Sequence, residues 1–191
     1  MQTRFGIRTA FAALLLACLA GCGIEEPLSE ADKSLFLRPT DLVRYGFQYD
    51  DPESYEKFSK SRQIDGAYQL KYEFQPGKSE RRRVFIYASV SVAKNESDAA
   101  LNESAEAVGM LIGLKASGVE DREVQMKTSS NEQSKLRLLV KGDKPLGNIF
   151  TTRDGRKTYF IVVTGLYFDD ADDWRKLVAP KLEQLAGYSP V

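Results

Sequence analysis

Thr158 to Leu166 (TYFIVVTGL) is a continuous apolar run entered through Asp154-Gly155, a strong two-residue hairpin signal. No alternation marks a wet side, so the run predicts a central strand buried on both faces. A chain built around such a strand must supply further strands beside it and helices to cover them.

The rest of the sequence supplies both. Tyr68, Leu70, Tyr72 and Phe74 alternate with Gln69, Lys71 and Glu73, a half-buried strand ended by Pro76-Gly77. Val84 to Val92 (VFIYASVSV) is a second strand, so residues 67–92 read as a hairpin. Further strands are expected at Arg122 to Lys127, Leu136 to Lys141 and Asn148 to Thr152. Asn95 and Asp98 open a helix as N-cap and reciprocal partner, with Gly118 placed to end it. Its apolar face is read as Leu101, Ala105, Val108 and Ile112. Asp169 to Asp173 starts a last helix with Trp174, Leu177, Val178, Leu182 and Leu185 inward, and Pro180 predicts a kink or break within it. Earlier, Pro39-Thr40-Asp41 predicts a short capped helix, Asp50-Asp51-Pro52 a turn, and Pro52 to Lys60 another helical turn. The fold class is α+β: an antiparallel sheet of about five to six strands covered by helices.

Composition narrows the chemistry. The 191 residues carry 27 basic and 27 acidic side chains, two Cys and no His, with 42% hydrophobic and 28% charged residues. Those proportions suit a globular domain and exclude collagen, low-complexity disorder and a disulfide-stapled miniprotein. Every mechanism that needs a histidine is excluded as well.

The first 22 residues carry an address. Arg4 and Arg8 precede Thr9 to Ala20 (TAFAALLLACLA), an uncharged run too short to span a bilayer, which needs roughly 20 apolar residues. Leu19-Ala20-Gly21-Cys22 then resembles the bacterial lipobox. The resemblance implies diacylglycerol on the Cys22 thiol, cleavage between Gly21 and Cys22, and an acyl chain such as palmitate on the new amine. Cys18 would leave with the signal, and the remaining 170 residues would hold 25 basic and 27 acidic groups. Their slight acidity argues against a nucleic-acid partner. With Cys22 consumed by lipid, disulfides and thiol catalysis are excluded. Gly23, where an Asp is the usual inner-membrane retention signal, points to the periplasmic side of an outer membrane. The expected organisation is a signal peptide over 1–21, a lipidated N-terminus and polar tether over 22–38, and one α+β domain over 39–191.

The second half of the chain, through Gly147 to Leu166 followed by Asp169, Trp174 and an amphipathic helix, resembles the PsbP-like family. That resemblance implies an α/β/α sandwich-like layering and no functional residues, because none of the family's site motifs is matched.

Candidate sites are few. Asp169 to Asp173 offers oxygens to a hard cation but lacks the Gly and bidentate Glu of a calcium loop, and acids at a helix start also offset the helix dipole. Arg81, Arg82 and Arg83, with Arg153, Arg156 and Lys157, suit either anionic headgroups or a solvated sheet edge. Two Ser-x-x-Lys sequences, at Ser54 and Ser91, lack the companion elements of penicillin-binding proteins. Tyr45, Phe47, Tyr49, Tyr55 and Phe58 cluster before the first long strand, as core or as a partner or ligand surface. Tyr45, Phe47, Tyr49, Arg82 and Arg156 are the candidates for such a surface. No metal spacing and no phosphate loop is present, and no cofactor is implied. The sequence thus favours a non-catalytic, membrane-anchored envelope lipoprotein that binds an envelope protein or assists assembly, with a carrier or sensor of a small apolar ligand or lipid as the alternative.

Overall fold

The computed structural model describes residues 24–47, 54–62, 67–77, 83–126 and 133–189. Gly21, Cys22, Tyr49, Arg82 and the turn at Asp50 to Pro52 lie outside them.

Among the described residues, eight strands form one antiparallel sheet: β1 (Ile24–Glu26), β2 (Tyr55–Arg62), β3 (Tyr68–Gln75), β4 (Phe85–Val92), β5 (Glu120–Val124), β6 (Lys135–Lys141), β7 (Lys144–Asp154) and β8 (Lys157–Thr164). The described residues also form the helices α1 (Glu30–Ser34), α2 (Glu96–Ala116) and α3 (Ala171–Gly187), and a 3-10 helix spans Pro39–Tyr45. The spatial order is β1-β2-β3-β4-β8-β7-β6-β5. Two meanders run inward from opposite edges, and α2 carries the chain between them. The last strand therefore lands beside β4 in the middle of the sheet.

The apolar run fulfils its expectation. Tyr159, Ile161 and Val163 face one core with Leu70, Tyr72, Phe74, the N-terminal segment and α3. Phe160 and Val162 face a smaller one with Tyr87, Ile149, Leu139 and Leu114 of α2. The layering is α/β/α, and the strand count exceeds the expected five to six.

Four differences from the sequence reading have physical causes. Residues 55–62 form strand β2 rather than a helical turn, because β3 pairs with all eight of them and packs Phe58 against Tyr72 at 4.9 Å between ring centroids. The stretch read as tether joins the domain: β1 pairs with β2, and Leu35, Phe36 and Leu37 are fully buried. Tyr159 pins them there, since its hydroxyl donates to the Leu35 carbonyl (2.9 Å) and accepts from the Leu37 amide (3.1 Å). α3 continues through Pro180 without a break. The ring removes the amide that would bond the Lys176 carbonyl, and Arg44 Nη2 donates to that oxygen instead at 2.8 Å.

The fourth difference concerns α2. Asn95 caps it as expected, accepting from the Asp98 amide at 2.8 Å. Its expected apolar face, however, is turned to solvent: Leu101, Val108 and Ile112 are 66%, 53% and 64% exposed. The sheet is met instead by Ala99, Glu103, Glu106, Ala107, Met110, Leu111 and Leu114.

Candidate functional site

Among the described residues, the outer side of α2 and a cleft at the C-terminal end of α3 lie outside the core packing.

α2 has two apolar stripes, and the polar residues beneath it decide which one faces the sheet. Ser89 donates to Glu106 Oε1 at 2.6 Å, and Tyr87 approaches the same oxygen at 3.3 Å. Glu103 Oε2 lies 3.4 Å from Arg153 Nε. Between Ala99 and Leu114 these two glutamates are the only charged residues, and both point inward. The outward side is therefore uncharged over almost four turns and carries three large exposed apolar side chains. Isolated exposed apolar residues are ordinary, whereas these three share one uncharged side of a single helix.

Burial raises the Glu106 carboxyl above the ordinary glutamate range, and the bonds from Ser89 and Tyr87 and the charge of Lys71 offset only part of this. The folded state thus holds a proton that the unfolded chain releases. Stability from this group is complete below the ordinary carboxyl range and is lost as pH rises towards the folded-state value. Glu106→Gln keeps an acceptor for Ser89 without the charge. Urea unfolding at pH 8 should find the variant more stable by about 1 kcal/mol or more, with the difference shrinking at pH 4. Equal stabilities at both pH values would contradict this account.

The cleft has a volume of about 660 Å³ and lies between α1, the last turn of α3 and the segment from Pro27 to Ser29. Its floor is polar. Asp32 is buried, accepting from the Ser29 amide at 2.9 Å and from the Tyr188 hydroxyl, with Lys60 Nζ 3.9 Å away. Burial alone would raise the Asp32 pKa, but the bonds from Tyr188 and Ser29 and the Lys60 charge bring it below the usual value. Lys60 also sits 5.9 Å from the Tyr68 ring centre, and burial pushes the Tyr68 phenol up to about 12. The ion pair, with Pro27, Ala31 and Leu35 beside polar Ser34, Glu183 and Gln184, can hold a small amphipathic molecule. No group of three or more Asp, Glu, Cys or His side chains among the described residues is placed to hold a metal.

The described residues among those singled out in the sequence, Tyr45, Phe47 and Arg156, do not converge. Phe47 is buried against Phe74, and Tyr45 is half-buried, edge-on to Phe168 at 5.0 Å with its hydroxyl on the Asp173 carbonyl. Arg156 is exposed near the opposite end of α3, donating to the Lys94 carbonyl, while Lys157 bonds the last carbonyls of that helix. Asp170 is the N-cap of α3, accepting from the amides of Asp172 and Asp173. Sequence reasoning missed Glu106, Asp32 and Lys60. The signal available for Glu106 was the second apolar stripe of α2, which places it on the same side as Met110 and Leu114.

No family model and no curated protein sequence matches the chain. Among solved structures, the extracellular domain of PknH from Mycobacterium tuberculosis is similar at 8% identity and a TM-score of 0.48, covering 85% of this chain and 99% of that one. No helix among the described residues is long and apolar enough to cross a membrane.

Proposed function

We propose that this chain is a lipid-anchored bacterial envelope protein whose domain acts by binding another protein chain through the outer side of α2. The observation that carries the reading is the inversion of that helix, with its only central charges against the sheet and Leu101, Val108 and Ile112 in solvent. In isolation this arrangement costs burial of two carboxyl groups and exposure of three apolar side chains. A partner covering the stripe recovers the second cost.

The test is a photoreactive residue placed at Leu101, Val108 or Ile112 in living cells, with Val43 as an exposed apolar control on the other side of the sheet. Adducts of defined mass at the three α2 positions and none at Val43 are expected. Absence of adducts at all three would overturn the reading.

The anchor belongs to the same proposal. Ile24 pairs with Arg62 only two positions after Cys22, so acyl chains on Cys22 would hold the β1 edge close to the bilayer. Cys22→Ser should abolish lipid labelling and leave the precursor uncut, and Cys18→Ser should change neither. Mass spectrometry of the mature N-terminus checks this, and a chain beginning at Cys18 would refute it.

The cleft favours a second reading, a carrier or sensor of a small ligand held over the Asp32–Lys60 pair. Lipids that survive purification and are lost in Lys60→Met, with no adducts on α2, would shift the function to that site.

A further inference from the structure

We propose that the occupant of the outer side of α2 is a second copy of this chain, docked antiparallel about a two-fold axis near the middle of the helix. This rests on the reading of α2 as a docking surface. The stripe is self-complementary when reversed. Placing the axis between Ala105 and Val108 sets Leu101 of one copy opposite Ile112 of the other, and Ala105 opposite Val108. At the centre, the small Ala105 thus faces the branched Val108, which suits close helix packing at about 8–10 Å, and two large side chains meet towards each end.

Charge supports the same occupant. Asp98 and Lys115 flank the uncharged stretch, and Lys115 is strongly exposed although its Nζ lies 3.7 Å from Asp121 Oδ1 of its own chain. Reversal brings Asp98 of each copy to the same end as Lys115 of the other, whereas a parallel pair would set like charges side by side. A two-fold interface repeats each such contact, so one favourable pairing counts twice. Gly109 adds a further observation. It lies inside the helix, where glycine costs about 1 kcal/mol relative to alanine, and a Cβ there would meet nothing within 4 Å in the single chain. The packing of the monomer gives no use for its smallness, and close approach of a second helix does. A bilayer is the poorer occupant, since no Lys or Arg rims the stripe between Ala99 and Leu114.

The experiment uses the full chain in mild detergent, with mass measured by light scattering across a dilution series and corrected for detergent. A dimer is expected. Val108→Glu, at a solvent-exposed position, should raise the dissociation constant about 100-fold, because a carboxylate would be trapped opposite Ala105. Asp98→Lys and Lys115→Glu should each weaken the dimer about three- to tenfold, and the double reversal in one chain should restore it. Circular dichroism confirms that each variant is folded. A monomeric wild type, or a dimer indifferent to Val108→Glu, overturns the proposal. If the wild type is monomeric yet Val108 forms adducts of a mass other than twice the chain, the docking surface stands and the second copy falls. A monomer without adducts removes both.

Discussion

Replacing Trp174 by Ala should destabilise the domain by about 3–5 kcal/mol, the largest loss expected from any side-chain truncation here. Trp174 is the largest fully buried side chain, and its ring packs against Phe150 at 5.6 Å and Phe168 at 5.4 Å between centroids. It fastens α3 to β7 and to the segment that leads out of β8. Its indole Nε1 has no hydrogen-bond partner among the described residues, so the loss is one of packing alone. Trp174→Phe should therefore cost much less, since it keeps an aromatic in the site and removes a buried unpaired donor. Because the chain has a single Trp, unfolding is followed by circular dichroism in urea. A cost below about 1 kcal/mol for the Ala variant would show that α3 is held by other contacts.

Gly165→Ala should be comparably severe, on the order of 3 kcal/mol or more. Gly165 lies where the chain leaves β8, at φ +84°, and a Cβ there would stand 2.1 Å from the Arg83 carbonyl oxygen. Its amide also donates to the Leu146 carbonyl at 2.8 Å, which keeps the backbone from moving aside. Gly118 is the control: its φ is +73°, but nothing lies within 4 Å of the added methyl. Gly118→Ala should lose only the conformational term, about 1–2 kcal/mol. Thermal unfolding of the two variants separates steric conflict from backbone strain, and equal losses would refute the clash.

The elements legible in the sequence are those where local pattern and tertiary need agree. The alternation in Tyr68 to Phe74 survives because one side of β3 faces the main core. The Asp154-Gly155 turn, the Asn95 cap and the inward residues of α3 are local signals that nothing distant opposes. The helical turn expected over Pro52 to Lys60 gives way to β2 from Tyr55 onward, because Phe58 is the one hydrophobic side chain of β2 packed against the main core and eight paired partners on β3 outweigh so weak a local pattern. Neither Asp32 nor Lys60 was legible as part of a site. They lie 28 positions apart and meet only because α1 folds back over β2.

The sequence by itself determined the class of the fold: a central strand with no wet side, a hairpin on each side of the long helix, and a closing helix carrying Trp174. Those features follow from spacing and apolar content, which act between neighbours along the chain. Only the tertiary structure decided which way α2 faces. Its two stripes are nearly equal in apolar content, so periodicity along the helix cannot choose between them. The choice falls to Ser89 and Tyr87 on the preceding strand β4, which reach Glu106, and to Arg153 on the distant β7, which reaches Glu103. Polar partners for two buried carboxyl groups exist only after the sheet has formed, and meeting them turns Leu101, Val108 and Ile112 outward.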